Sequence, residues 1–185
     1  FPWATTVVCA ELRTWGFLSH LQSEIEDFPS EFLLFLPVAV NLTLDSGIHA
    51  DSKRELRREE DGPDVILHEG NTQSKWRVVE QKVQILDPQA KQDATHIHTR
   101  DEVPIAWGIP LESKREEAGR FWAFFPTQTQ TRLPGILNAP WKLNSDRNGI
   151  IGGEWNTALM KEAAKLIVRT LPQLRTDEDP ARLLD

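Results

Sequence analysis

Three cations, Arg132, Lys142 and Arg147, stand within about sixteen residues otherwise crowded with Thr, Gln, Asn and Ser. The stretch opens Pro126-Thr127-Gln128-Thr129-Gln130-Thr131-Arg132-Leu133-Pro134-Gly135 and resumes Leu137-Asn138-Ala139-Pro140-Trp141-Lys142-Leu143-Asn144-Ser145-Asp146-Arg147-Asn148. Guanidinium and ammonium groups neutralise phosphate oxygens while hydroxyls and amides donate hydrogen bonds, so such a surface suits a polyphosphate. An Arg delivered from outside a nucleotide pocket raises phosphoryl-transfer rates by about 10³ to 10⁵. The plainer reading of the same residues is an anchored loop, with Asp146 paired to Arg147 or Lys142 and Trp141 holding the loop down.

Elsewhere the chain offers little chemistry. It contains no Gly-rich phosphate loop, dinucleotide fingerprint, nucleophile elbow or zinc-ligand spacing. One Cys, Cys9, and no Tyr exclude thiol pairs and tyrosine chemistry. His96 and His98 form the one near pair; on a strand they would share a face and, with Asp93 or Asp101, suit a metal-dependent hydrolase. In a polar, turn-rich segment they read instead as solvent-exposed histidines. A net charge of −7 without a basic stripe argues against nucleic-acid binding by this domain. No apolar run approaches the roughly 20 residues of a membrane span. The lone Cys and the lack of a secretory signal point to a reducing, cytoplasmic setting, and Asn41-Leu42-Thr43 is then a chance match to a glycosylation acceptor. Phe1 marks a cut in a longer protein rather than a translation start, and the polar stretch 175–185 with Pro180 reads as a linker.

The elements that must position these residues follow from periodicity. Val7 and Val8 suggest a short strand. Thr14 is placed to cap a helix whose stripe is Trp15, Leu18, Leu21, Ile25 and Phe28, ended by Pro29. Ser30 begins an apolar helical turn through Leu36, and alternation from Val38 to Asp45 predicts a half-buried strand. The charge run Asp51 to Asp64 reads as a solvated loop. Val65–His68 and Trp76–Leu86 predict two strands joined near Gly70-Asn71 as a hairpin. Asp87 to Arg100 reads as irregular. Val103, Ile105, Trp107 and Ile109 alternate as a strand in which Pro104 signals an edge or bulge, and Phe121–Phe125 forms another. Pro126 to Gly153 is too apolar for plain disorder and predicts an ordered loop or short strand. The clearest helix runs from Glu154 to Leu171, burying Trp155, Leu159, Ala163, Leu166, Ile167 and Leu171 until Pro172 stops it. The order predicts one α+β domain over 1–174, a mostly antiparallel sheet with helices packed on one face.

Leu137-Asn-Ala-Pro-Trp-Lys-Leu-Asn-Ser-Asp-Arg147, following Phe125-Pro126-Thr127, resembles the middle segment of sacsin-like proteins. These are relatives of the ninety-kilodalton heat-shock chaperone within the GHKL ATPase superfamily. Leu143-Asn144-Ser145-Asp146-Arg147 is similar to the chaperone's Leu-Asn-x-Ser-Arg, with an inserted Asp and with Gly149, Ile150 and Ile151 where a Gln is expected. Gln130-Thr131-Arg132 resembles the Gln-Thr-Lys of gyrase-type members, with Arg for Lys. Trp3-Ala4-Thr5-Thr6-Val7-Val8 is similar to the strand closing the nucleotide domain, so 1–12 would be its end, and Leu33-Leu34-Phe35-Leu36 resembles the stretch that follows. The resemblance implies a transducer, or coupling, domain with a three- or four-stranded sheet. It also implies that ATP and Mg are held mainly by an upstream domain of the same chain. Arg147, or else Arg132, would reach the γ-phosphate, with Lys142, Asn144 and Ser145 as further phosphate contacts. A protein client and a homodimer of the longer protein stay open, as do chaperone-like and prokaryotic-defence roles. The alternative is a non-catalytic interaction module docking partners through Trp141 and Trp107.

Overall fold

The computed structural model describes residues 14–38, 40–47, 53–94, 102–112 and 118–175, together with Thr6, Val8 and Glu11. Val7 of the expected short strand, the His96/His98 pair and most of the 175–185 linker lie outside them, while Val8 is described and exposed. Eight strands form one sheet: β1 (Asn41–Asp45), β2 (Lys53–Asp61), β3 (Asp64–Glu69), β4 (Thr72–Val83), β5 (Val103–Pro110), β6 (Arg120–Ala123), β7 (Phe125–Gln130) and β8 (Ile136–Asn138). Their order across the sheet is β1-β2-β3-β4-β5-β8-β6-β7. Every pairing is antiparallel except β6 with β8. The expected α+β class with a mostly antiparallel sheet stands; the sheet is twice the width that the resemblance implied.

Side-chain alternation splits the core into two clusters. Odd residues of β5, from Val103 to Ile109, join Phe121 and Leu137 beneath α2 (Pro88–Ala94) and α3 (Glu154–Thr170). On the opposite face Leu56, Val65, Leu67, Trp76, Trp122 and Ile136 meet Leu33 and Leu34 of a 3-10 segment, Ser30–Phe35. α3 follows its expected stripe, with Trp155, Leu159, Ala163, Leu166 and Ile167 all buried; Leu171, expected with them, lies just past the helix and is half-buried.

The charge run is a strand, not a loop. Its inward positions are Arg54, Leu56 and Arg58, and each Arg has found acceptors. Arg54 donates to Glu69 and to the carbonyls of Ile25, Glu26 and Phe28, at the end of α1 (Gly16–Glu26). Arg58 donates to the carbonyls of Leu33, Leu34 and Leu36 and pairs with Glu60. Charged ends on long apolar stems thus fill positions that alternation normally gives to Leu or Val. α2 likewise replaces the expected irregular stretch, with Pro88 in its first turn and Asp87 Oδ1 accepting the Gln89 N–H. Thr14 makes no side-chain cap, and α1 buries none of its stripe. The hairpin at Gly70-Asn71 is present as read, with Glu69 opposite Thr72 and Gly70 at φ +56. Pro104 fits its strand because β8 pairs only with residues 106–108 of β5, leaving the proline side unpaired.

Candidate functional site

The Pro126–Gly153 region is ordered and built around the edge strand β7. From β8 the chain passes through Ala139 and Pro140 to Trp141, which is 2% exposed, stacks edge-on against Phe121 and donates its indole N–H to Leu137 O. Trp107 is 1% exposed and donates to Pro134 O. Neither tryptophan is free to dock a partner, which corrects that expectation; the anchoring role foreseen for Trp141 holds. Their indole area is worth more inside the core than on a wet surface.

Beyond Trp141 the loop is clamped at its base. Lys142 donates its backbone N–H to Asn156 Oδ1 at 2.8 Å, while Asn156 Nδ2 returns bonds of 2.7 Å to Lys142 O and Ile151 O. The Lys142 ammonium donates to Asp93 O at 2.6 Å and forms an ion pair with the Asp93 carboxylate. That carboxylate also accepts the Trp155 N–H at 3.0 Å, so Asp93 of α2 caps the N-terminus of α3. The Lys142 hydrogen bond, aided by the N–H groups of Trp155 and Glu154, holds the Asp93 carboxyl below the usual carboxylate range. Gly153 allows the approach: a Cβ there would overlap Asp93 Oδ2. Lys142 is therefore held by protein, not presented to a ligand.

Above the clamp, Leu143 and Ile150 form a bridge and Asn144 staples the tip between them. Its Oδ1 accepts the N–H groups of Asn148 and Gly149 at 3.0 and 3.2 Å, and its Nδ2 donates to Asn148 Oδ1 at 2.7 Å. The tip rests on β7: Gln128 donates to Asn148 O at 2.7 Å, and Ile150 donates to Thr129 Oγ1 at 3.1 Å. Ser145 is exposed and donates to Asp146 Oδ1 at 3.2 Å. Arg147 closes the turn by donating its backbone N–H to Asn144 O at 3.0 Å, with φ at +57. Its guanidinium is exposed and, among the described residues, makes no hydrogen bond or ion pair. Asp146 pairs with neither Arg147 nor Lys142, contrary to the plainer loop reading.

Arg132 is also exposed and, among the described residues, unpaired, in the turn after β7. The turn is fixed by Thr131, whose hydroxyl donates to Leu133 O at 2.6 Å, and by Gly119 and Arg120, which donate to Leu133 O and Gly135 O. It lies four positions along the chain from Gln128, where the Arg147 loop rests, a span of up to about 13 Å. Of the five candidate residues, Lys142 and Asn144 are thus engaged in holding the loop, while Ser145, Arg147 and Arg132 face outward. Sequence reading missed Asn156 and considered Asp93 only as a possible metal ligand beside His96 and His98. The signal for Asn156 was a lone amide on the buried stripe of α3; nothing local marked Asp93 as a cap, since its partners lie 49 and 62 residues away. Among the described residues no three His, Cys, Asp or Glu side chains converge as a metal site would need. No protein-family model matches this chain, and no curated protein or solved structure matches it either.

Proposed function

We propose that this chain is the coupling domain of an ATP-dependent protein of sacsin-like, chaperone-related type. ATP and Mg are bound mainly by an upstream domain, and this chain supplies a basic residue to the γ-phosphate. The observation that supports this reading is the state of Arg147. It stands at the tip of a loop fixed at base, waist and edge, with a charged group that, among the described residues, no protein atom uses. Backbone preorganisation of this kind lets a cation meet developing phosphoryl charge without reorganising at the moment of reaction. Among the described residues no helix is long and apolar enough to cross a membrane, and a cytoplasmic location is part of the proposal.

The test needs the chain joined to its upstream domain. Arg147→Ala is expected to lower ATP turnover by about 10³-fold or more, the range for a trans-acting arginine. Arg132→Ala is expected to change it by less than about tenfold, since Arg132 lies outside the stapled loop and is the second choice for the phosphate contact. Undiminished turnover in both variants would remove the mechanism. A second reading, a non-catalytic interaction module, draws on Phe124 and Phe125, both more than half exposed at the β6–β7 turn. It expects turnover to survive Arg147→Ala while Phe124→Asp abolishes capture of a client.

A further inference from the structure

The sheet treats its two edges differently. β7 is covered by the Asn148 carbonyl and the Thr129–Ile150 bond. β1, at the other end, has no partner on its outer side among the described residues. The phase of the ladder shows which groups are left over. Two-residue turns make Asp61 with Asp64, and Glu69 with Thr72, hydrogen-bonded pairs. Alternation from either turn gives the same result: Leu42 and Leu44 bond to β2, while Asn41, Thr43 and Asp45 aim their N–H and C=O groups outward.

The strand reads Asn41-Leu42-Thr43-Leu44-Asp45, a near-palindrome about Thr43. We propose that β1 pairs antiparallel with β1 of a second copy, on a two-fold axis through Thr43, making one continuous sheet. In that register Thr43 faces Thr43 of the second copy and Leu42 faces Leu44 of the second copy. Asn41 faces Asp45 of the second copy, twice over. No like charges oppose one another, and each Asn amide can donate to a carboxylate. The outward odd residues meet in phase, so their backbone donors and acceptors are satisfied in pairs. Leu42 and Leu44, half-buried against the second core cluster, continue that cluster across the axis. A mixed partner strand has no reason to mirror this pattern; a second copy does.

Sedimentation of the 185-residue chain across a wide concentration range is expected to show a concentration-dependent dimer. Asn41→Asp sets two carboxylates opposite each other at two places and should raise the dimer dissociation constant about five- to tenfold. Asn41→Lys creates two opposite-charge pairs and should lower it by a similar factor. Thr43→Pro should abolish the dimer yet leave the circular dichroism spectrum unchanged, since the lost N–H faces away from β2. A chain monomeric at every concentration overturns the proposal. So do two Asn41 variants that shift the constant in the same direction, which remain decisive if Thr43→Pro fails to fold.

Discussion

At φ +57 Arg147 holds a left-handed backbone that a residue with a Cβ adopts at a cost of about 1 kcal/mol, where glycine would be free of strain. Asn144 makes that conformation tolerable by accepting two N–H groups of the same turn. Asn144→Ala leaves those donors without their acceptor, and the tip loses its fixed shape while the core is untouched. On the proposed coupling reading, ATP turnover of the chain joined to an upstream domain should then fall by about ten- to a hundredfold, less than for Arg147→Ala, with thermal midpoint nearly unchanged. A turnover equal to wild type would separate loop shape from function. Asp93 makes a different prediction. Its carboxyl titrates below the unfolded value of about 4, so the stabilisation it provides is complete at neutral pH. It is lost as pH falls through the lowered folded value. Asp93→Asn should therefore lower the melting temperature at pH 7, and the difference from wild type should close as pH falls through the lowered folded value. Lys142→Met removes the first cause of the shift, and the Asp93 carboxyl resonance should then titrate closer to about 4.

Among the elements, β2 separates charge from exposure. Lys53, Glu55 and Arg57 point to water, whereas Arg54 and Arg58 reach under the segment that covers the second cluster. Arg58→Ala strips donors from three carbonyls and is expected to destabilise the chain by about 2–4 kcal/mol in chemical denaturation. Glu55→Ala, on the outward side, should stay within about 0.5 kcal/mol. Equal effects would mean that the strand has no buried face. The same element shows why a charge run misleads: the rule that charge implies solvent concerns isolated side chains, and here carbonyls from residues 22 to 29 positions away supply the acceptors. α2 is the reverse case. At seven residues it is too short to reveal a stripe, so the stretch reads as irregular, and packing of Ala90 and Ala94 against α3 is what sustains it.

For the molecule as a whole, the cations lie towards one edge of a sheet whose other edge strand, β1, has no outer partner among the described residues. The 185-residue chain by itself is expected to hydrolyse no ATP and to bind it weakly, if at all, by calorimetry. Tight binding by the isolated chain would mean that it carries its own pocket, against the coupling reading. The amino-acid sequence determined the class, the Gly70-Asn71 hairpin, β5 and α3, because each depends on contacts or periodicities within a dozen residues. It also determined that a cationic, ordered loop precedes α3. Only the tertiary structure decided which cation is available. Lys142, Arg132 and Arg147 are alike in type and local setting, and what separates them is a carboxylate 49 residues upstream that happens to fold beside the first. The same holds for the two tryptophans: whether an indole faces water or core depends on the strand opposite, and the pairing of β5 with β8, about thirty residues later, is a decision made by the sheet and not by either segment.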